Sequence, residues 1–142
     1  MKEAVEILER KCVKPTSNRI IVLDSILKAK RPVSLGELDG KIETIDKSNI
    51  FRVLTLFLEH DIVHGIEDGS GSLKYEVCGG HARHSLSDQH VHFYCEACGT
   101  TYCFKSTHIP LAPVPDGFKP RFINYMIKGL CSDCDKQSTD CK

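Results

Sequence analysis

Two C-x-x-C pairs, Cys95/Cys98 and Cys131/Cys134, stand 32 residues apart in a chain of 142. A C-x-x-C turn sets both thiolates on one side of a tight bend. Two such turns complete a tetrahedral four-sulfur shell with no open position, which is how structural zinc is held. The fold must therefore bring the two ends of a long segment to one point. Gly99, directly after the first pair, suits the sharp turn. A thioredoxin-like redox pair or buried free thiols is the plainer alternative, but two pairs favour a closed metal site. The separation exceeds that of a compact zinc ribbon, so a small strand–helix–strand unit is expected between the pairs.

Cysteine usage agrees with a reducing compartment. No apolar run approaches the roughly 20 residues that cross a bilayer, and the opening "MKEAVEILER" is amphipathic and charged rather than a signal peptide. A cytoplasmic protein is expected, in which eight cysteines point to metal or thiol chemistry and not to a disulfide framework. Net charge is zero, with 11 Lys/Arg against 9 Asp/Glu in residues 1–60 and 8 against 10 in residues 61–142. That balance neither establishes nor excludes a nucleic-acid partner, because phosphate contacts depend on local charge.

Periodicity divides the chain. Ala4, Ile7, Leu8 and Cys12 recur near a helical period, and after Pro15 a second helix is expected from a Thr16 or Ser17 cap, with Ile20, Leu23, Ile26 and Leu27 inward. Pro32 stops it. Ser34 caps a third helix, "LGELDGKI", and Asp46 or Ser48 a fourth, "NIFRVLTLFLEHD", with Ile50, Leu54, Phe57 and Leu58 on one face and Arg52, Thr55 and Glu59 on the other. "IVHGIE" and "LKYEV" flank "DGSGS" and read as a β-hairpin. Helices followed by a hairpin give the order of a winged helix, whose last helix enters the major groove. Residues 79–89 read as a linker between a domain at 1–78 and another at 90–142. In the latter, "HVHFYC", "TTYCF" and "FINYMIKG" read as strands.

His90 and His92 form an H-x-H pair that points to one face of a strand, out of easy reach of the four cysteines, so a second metal is implied. At this point the residues resemble the ferric uptake regulator family of metal-dependent repressors, closest to its zinc-sensing branch. "TSNR" resembles its T-x-x-R, "SNIFRVL" its T-V-Y-R-x-L, and "HVHFYCEACG" with "GLCSDC" its H-x-H-x-x-C-x-x-C-G and G-x-C-x-x-C. The resemblance covers nearly the whole chain and implies an α+β fold. In it an N-terminal winged helix-turn-helix precedes a hinge and a small α/β dimerisation domain with the four-cysteine zinc site.

The resemblance further implies a regulatory metal held by His64, Cys78, His90 and His92. A shell of three nitrogens and one sulfur suits zinc, whereas iron favours histidine and carboxylate. Glu76 matches a carboxylate of iron sensors and is an alternative ligand, with Fe(II) or Mn(II) as alternative metals. Arg31 and Pro32 stand where iron sensors have a histidine, Ile123 removes the ligand of an additional C-terminal site, and Phe51 replaces the usual recognition-helix tyrosine. On the DNA side Arg52 is the leading residue, sharing its face with Asn49 and Thr55, with Phe51 against thymine methyls and Lys14 and Arg19 on the backbone.

Each of these has a simpler role available. His64 alone reads as an exposed strand histidine, Cys78 as a small buried apolar residue, and His81, His84 and His108 as solvated side chains. Cys12, Cys103 and Cys141 do not stand at ligand spacing, and Cys103 is expected to pack in a strand. The implied function is a dimeric, zinc-responsive repressor of metal-uptake genes that binds double-stranded operator DNA, with no small-molecule substrate and no membrane association. An enzyme is not expected, since a four-ligand site leaves no open metal position. The rivals are an iron- or peroxide-sensing repressor of the same family and a structural zinc adaptor that binds no DNA.

Overall fold

A computed structural model describes residues 1–77, 90–108, 110–120 and 123–137, with the backbone alone at 90, 105, 106, 108 and 137. The chain divides into two compact units, Met1–Arg83 and His84–Lys142.

In the first unit, helices α1 (Lys2–Arg10), α2 (Ser17–Ala29), α3 (Leu35–Lys41) and α4 (Lys47–Glu59) precede a hairpin of β2 (Val63–Glu67) and β3 (Leu73–Val77). A two-residue strand β1 (Val33–Ser34), between α2 and α3, pairs antiparallel with β3, giving the sheet order β1-β3-β2. This is a winged helix-turn-helix. Apolar residues at helical spacing make its core: Leu23 and Ile26 of α2 and Ile50, Leu54 and Phe57 of α4 are buried, with Leu38 of α3 and Tyr75 of β3 against them. Ile42 and Ile45, both buried, hold the turn between α3 and α4 to that core.

The inward faces differ in detail from the expected ones. On α2, Val22 is fully buried while Ile20 and Leu27 are partly so, and on α4 Val53 takes the inward place expected of Leu58. Cys12 lies outside α1, exposed and left-handed at φ 59°. It forms the bend of a helix-ending motif in which the Val13 N–H donates to the Leu8 carbonyl at 2.9 Å and Val13 returns to the core. Asp61, at φ 56°, repeats the device after α4, where the Ile62 N–H donates to the Phe57 carbonyl at 2.9 Å.

The helix starts follow the sequence. Ser34 accepts the Glu37 N–H at 3.1 Å on its Oγ, a cap whose removal costs about 1 kcal/mol. Glu37 in turn pairs with Arg31 at 2.8 Å. Asp46 begins α4, and its carboxylate accepts the Ser48 hydroxyl at 2.7 Å and the Asn49 side-chain amide. The Ser48 hydroxyl, and after it Asn49, keeps that carboxyl below the usual range. Gly69 and Gly71, both at positive φ, turn the wing. There the Lys74 ammonium meets the buried Asp68 carboxylate at 2.9 Å.

The second unit contains β4 (His90–Cys95), β5 (Thr101–His108), β6 (Met126–Gly129) and a terminal helix α5 (Ser132–Gln137). Its sheet order is β5-β4-β6, with β4 antiparallel to β5 and parallel to β6. The strand–helix–strand unit expected between the cysteine pairs is not found. No helix occurs there among the described residues, and the third strand begins at Met126. Pro110, Pro113, Pro115 and Pro120 crowd that connection, and proline removes the amide donors and clashes with the preceding turn that a helix needs. The helix falls after Cys131 and carries Cys134 instead.

Candidate metal centres and nucleic-acid face

The four cysteines of the second unit converge. Cys95 ends β4, Cys98 follows in its turn, Cys131 precedes α5 and Cys134 lies within it. The four sulfurs all lie within 4.8 Å of one another, and Cys98 Sγ is 4.0 Å from Cys131 Sγ. A tetrahedron of zinc–sulfur bonds of about 2.3 Å needs sulfurs about 3.8 Å apart, so the donor set fits a structural zinc. The knuckle depends on Gly99. At φ 74° it takes the left-handed turn that lets its N–H reach the Cys95 carbonyl at 2.9 Å. The parallel pairing of β4 with β6, extended by the Glu96 N–H to the Gly129 carbonyl at 2.8 Å, delivers the second cysteine pair to the first.

Backbone amides prepare the sulfurs as anions. The Cys98 N–H, and after it that of Cys131, donates to Cys95 Sγ, at 3.5 and 3.4 Å, and this lowers the Cys95 thiol to about 6. The Cys134 amide, and next the Tyr102 hydroxyl, lowers Cys131. Cys134 moves the other way, to about 12, chiefly through its hydrogen bond with the Cys131 sulfur. Amide donation therefore supports some thiolates at the expense of a neighbour, and a dication is the group that stabilises four at once. Tyr102 is a residue that the spacing did not flag. Its phenol donates to Cys131, is raised to about 12 by that bond, and forms a support outside the sulfur shell. The usable signal was strand alternation, since Tyr102 stands opposite Phe93, on the sheet face that Cys95 shares.

The residues expected at a regulatory site stand as follows. His64 of β2 and Glu76 of β3 are direct partners across the wing hairpin, and the His64 Nε2 lies 3.0 Å from the Glu76 carboxylate. His64 is half-buried and Glu76 buried. His92, also buried, lies on β4 of the second unit. His90 begins that strand, and its side chain lies outside the description, as do Cys78, His81, His84 and Cys141 entirely. Cys103, expected to pack in a strand, lies partly exposed on β5.

The outward face of α4 carries Phe51, Arg52 and Thr55 at helical spacing, all exposed, with Phe51 at 51%. The Thr55 hydroxyl donates to the Phe51 carbonyl at 3.0 Å. Asn49 is half-buried, with its side-chain amide turned to Asp46. Lys14 is exposed in the segment before α2, where Arg19 Nη1 donates to its carbonyl at 2.9 Å. No helix among the described residues is long and apolar enough to cross a membrane.

Comparison with known proteins agrees with this anatomy. Over 99 residues the chain is 28% identical to the ferric uptake regulation protein of Campylobacter jejuni, which takes in 67% of this chain and 59% of that protein. The chain thus spans about three-fifths of the length of this curated relative. The fold is similar to that of the Vibrio cholerae ferric uptake regulator, with a TM-score of 0.64 and 20% identity over 89% of this chain and 98% of that one. It is similar also to the Helicobacter pylori ferric uptake regulator, with a TM-score of 0.60 and 15% identity over 94% and 90%. The holo form of a protein called XcZur gives a TM-score of 0.59 and 22% identity over 96% and 99%. The Campylobacter, Vibrio and Helicobacter proteins are by name regulators of ferric uptake. The sequence model of the Ferric uptake regulator family matches residues 10–112, and the chain belongs to that family.

Proposed function

We propose that this protein is a zinc-responsive transcriptional repressor that binds operator DNA as a homodimer in the cytoplasm and controls metal-uptake genes. The observation that carries the reading is the outward face of α4 in a winged helix, where a large ring, a guanidinium and a threonine are held ready for a groove. Arg52 reads guanine through its fork and Phe51 meets thymine methyls, while Lys14 and Arg19 fix the register on phosphates. Phe104, Tyr125, Ile127 and Leu130 of the second unit, each roughly two-fifths exposed, support burial against a second copy.

The regulatory metal is assigned to His64, Cys78, His90 and His92. Zinc there fixes the separation of two recognition helices to suit half-sites about one helical turn apart, or a multiple of it. It acts only through tighter binding to that arrangement than to others. A second reading, an Fe(II)- or Mn(II)-responsive repressor, is favoured by the Glu76 carboxylate against His64, since oxygen donors suit those metals.

Elemental analysis tests the metal assignment. Two zinc ions per chain should fall to one after mild chelation, and Cys78→Ser should hold one from the start while losing zinc-dependent DNA binding. An unchanged zinc response in Cys78→Ser would remove the four-ligand assignment, and DNA binding that persists in Arg52→Ala would remove the proposed face.

A further inference from the structure

On the outward face of α4 most side-chain protons are already engaged. The Asp46 carboxylate accepts the Ser48 hydroxyl at 2.7 Å on one oxygen and the Asn49 side-chain amide on the other. It makes no side-chain bond to the helix backbone, the usual role of an N-cap carboxylate. The Ser48 hydroxyl first, then Asn49 and, more weakly, Arg52 hold Asp46 below the usual carboxylate range, so at neutral pH it accepts only. The Thr55 hydroxyl, about two turns further on, donates to the Phe51 carbonyl at 3.0 Å. A hydroxyl carries one proton, so Ser48 and Thr55 have only acceptor lone pairs to offer a ligand, and Asn49 keeps its carbonyl oxygen and one N–H. Arg52 stands between them and donates to no partner among the described residues.

We propose that Asp46 sets a base preference of this helix, by making Ser48 and Asn49 acceptors for the exocyclic amino group of a base in the major groove, adenine N6 or cytosine N4. The inference rests on the DNA-binding reading above and adds the base that the first turn of α4 selects. N-terminal residues of a recognition helix meet base edges, and Ser48 and Asn49 both belong to that first turn. Guanine presents O6 and N7 there and thymine O4, all acceptors. Each would meet the lone pairs of Ser48 Oγ and Asn49 Oδ1 with no proton between them, and a polar group left unpaired is how a site refuses the wrong partner. The remaining Asn49 N–H suits adenine N7, which lies beside N6 on the same edge, so adenine is favoured over cytosine. Without the Asp46 carboxylate the Asn49 amide is free to turn over and the Ser48 hydroxyl to donate, which admits guanine and thymine. Asp46 thus acts through its neighbours, as a positioning residue.

The test uses the full chain loaded with zinc and a pool of random-sequence duplexes, from which bound DNA is selected and sequenced. Sites enriched by the parent should contain a guanine that Arg52→Ala no longer selects and, within about two base pairs of it, a position held to adenine or cytosine on one strand. Replacing that adenine by purine, or that cytosine by 2-pyrimidinone, deletes only the amino group and should weaken the parent about fivefold or more. Asp46→Asn keeps a good N-cap residue, so α4 stays folded. That variant should still select the guanine, but admit guanine and thymine at the neighbouring position and bind the amino-less duplex as well as the natural one. Unchanged discrimination in Asp46→Asn, or an even loss of affinity for every sequence, would overturn the proposal and leave Asp46 a structural cap. Enriched sites with no such restricted position would overturn it while DNA binding stands. A parent that enriches no sequence would remove the DNA-binding reading, and this inference with it.

Discussion

Removing the structural zinc should unfold the second unit and leave the first intact. Among its described residues, Val91 is the only apolar side chain other than cysteine that is buried, and the two other buried apolar positions are the ligands Cys95 and Cys131. Burying a valine contributes about 1.5–3 kcal/mol. Structural zinc contributes about 10–16 kcal/mol of apparent binding energy at neutral pH. A typical domain has about 5–15 kcal/mol in total, so the metal outweighs any margin this sheet has without it. The first unit has a core running from Ala4 to Tyr75 and holds none of the four cysteines. The perturbation is strong chelation, or Cys131→Ser, and the assay is amide hydrogen exchange at low protein concentration. The amides of β4 and β6 should lose protection, those of α2 and α4 should keep theirs, and zinc should restore the chelated parent but not the variant. Retained protection in β4 and β6 after zinc has left would refute the reasoning, because apolar packing would then suffice.

Two further outcomes follow from the electrostatics. Tyr102→Phe keeps the ring but deletes the donor to Cys131, so zinc should transfer several-fold faster to a competing chelator while the far-ultraviolet circular dichroism stays the same. Asp24, 12% exposed at its side chain, is lowered mainly by Lys28 at 2.8 Å and further by the chain's amino group at 3.3 Å. A depressed carboxyl stabilises fully above its ordinary value and loses that contribution as pH falls through the folded one. Denaturant midpoints of the first unit should therefore drop below about pH 4, and the drop should be smaller in Asp24→Asn. Matching acid limbs would show that the ion pair adds nothing.

Much of the site was legible because its signals are local. Ser34 announces a helix start through its own oxygen, "DGSGS" announces a hairpin through residues that accept positive φ, and paired C-x-x-C turns announce a four-sulfur shell through ligand spacing. The helix expected between the cysteine pairs failed because spacing states how far the chain must travel and not by what path. The prolines there spoke against it, and the parallel β4–β6 pairing that closes the shell links residues more than thirty positions apart. Cys12 was misplaced for a similar reason. Its apolar character fits a helical period, but the Leu8–Val13 bond that ends α1 gives the buried position to Val13.

By itself the sequence determined the two kinds of domain, the closed four-sulfur shell and the residues on the outward face of α4, since each depends on residue type at short range. Only tertiary structure decided that Tyr102 would support Cys131 and that Glu76 would meet His64 across the wing. Those neighbours come from separate elements, and the register that brings them together is set by the packing of whole sheet faces rather than by any one segment.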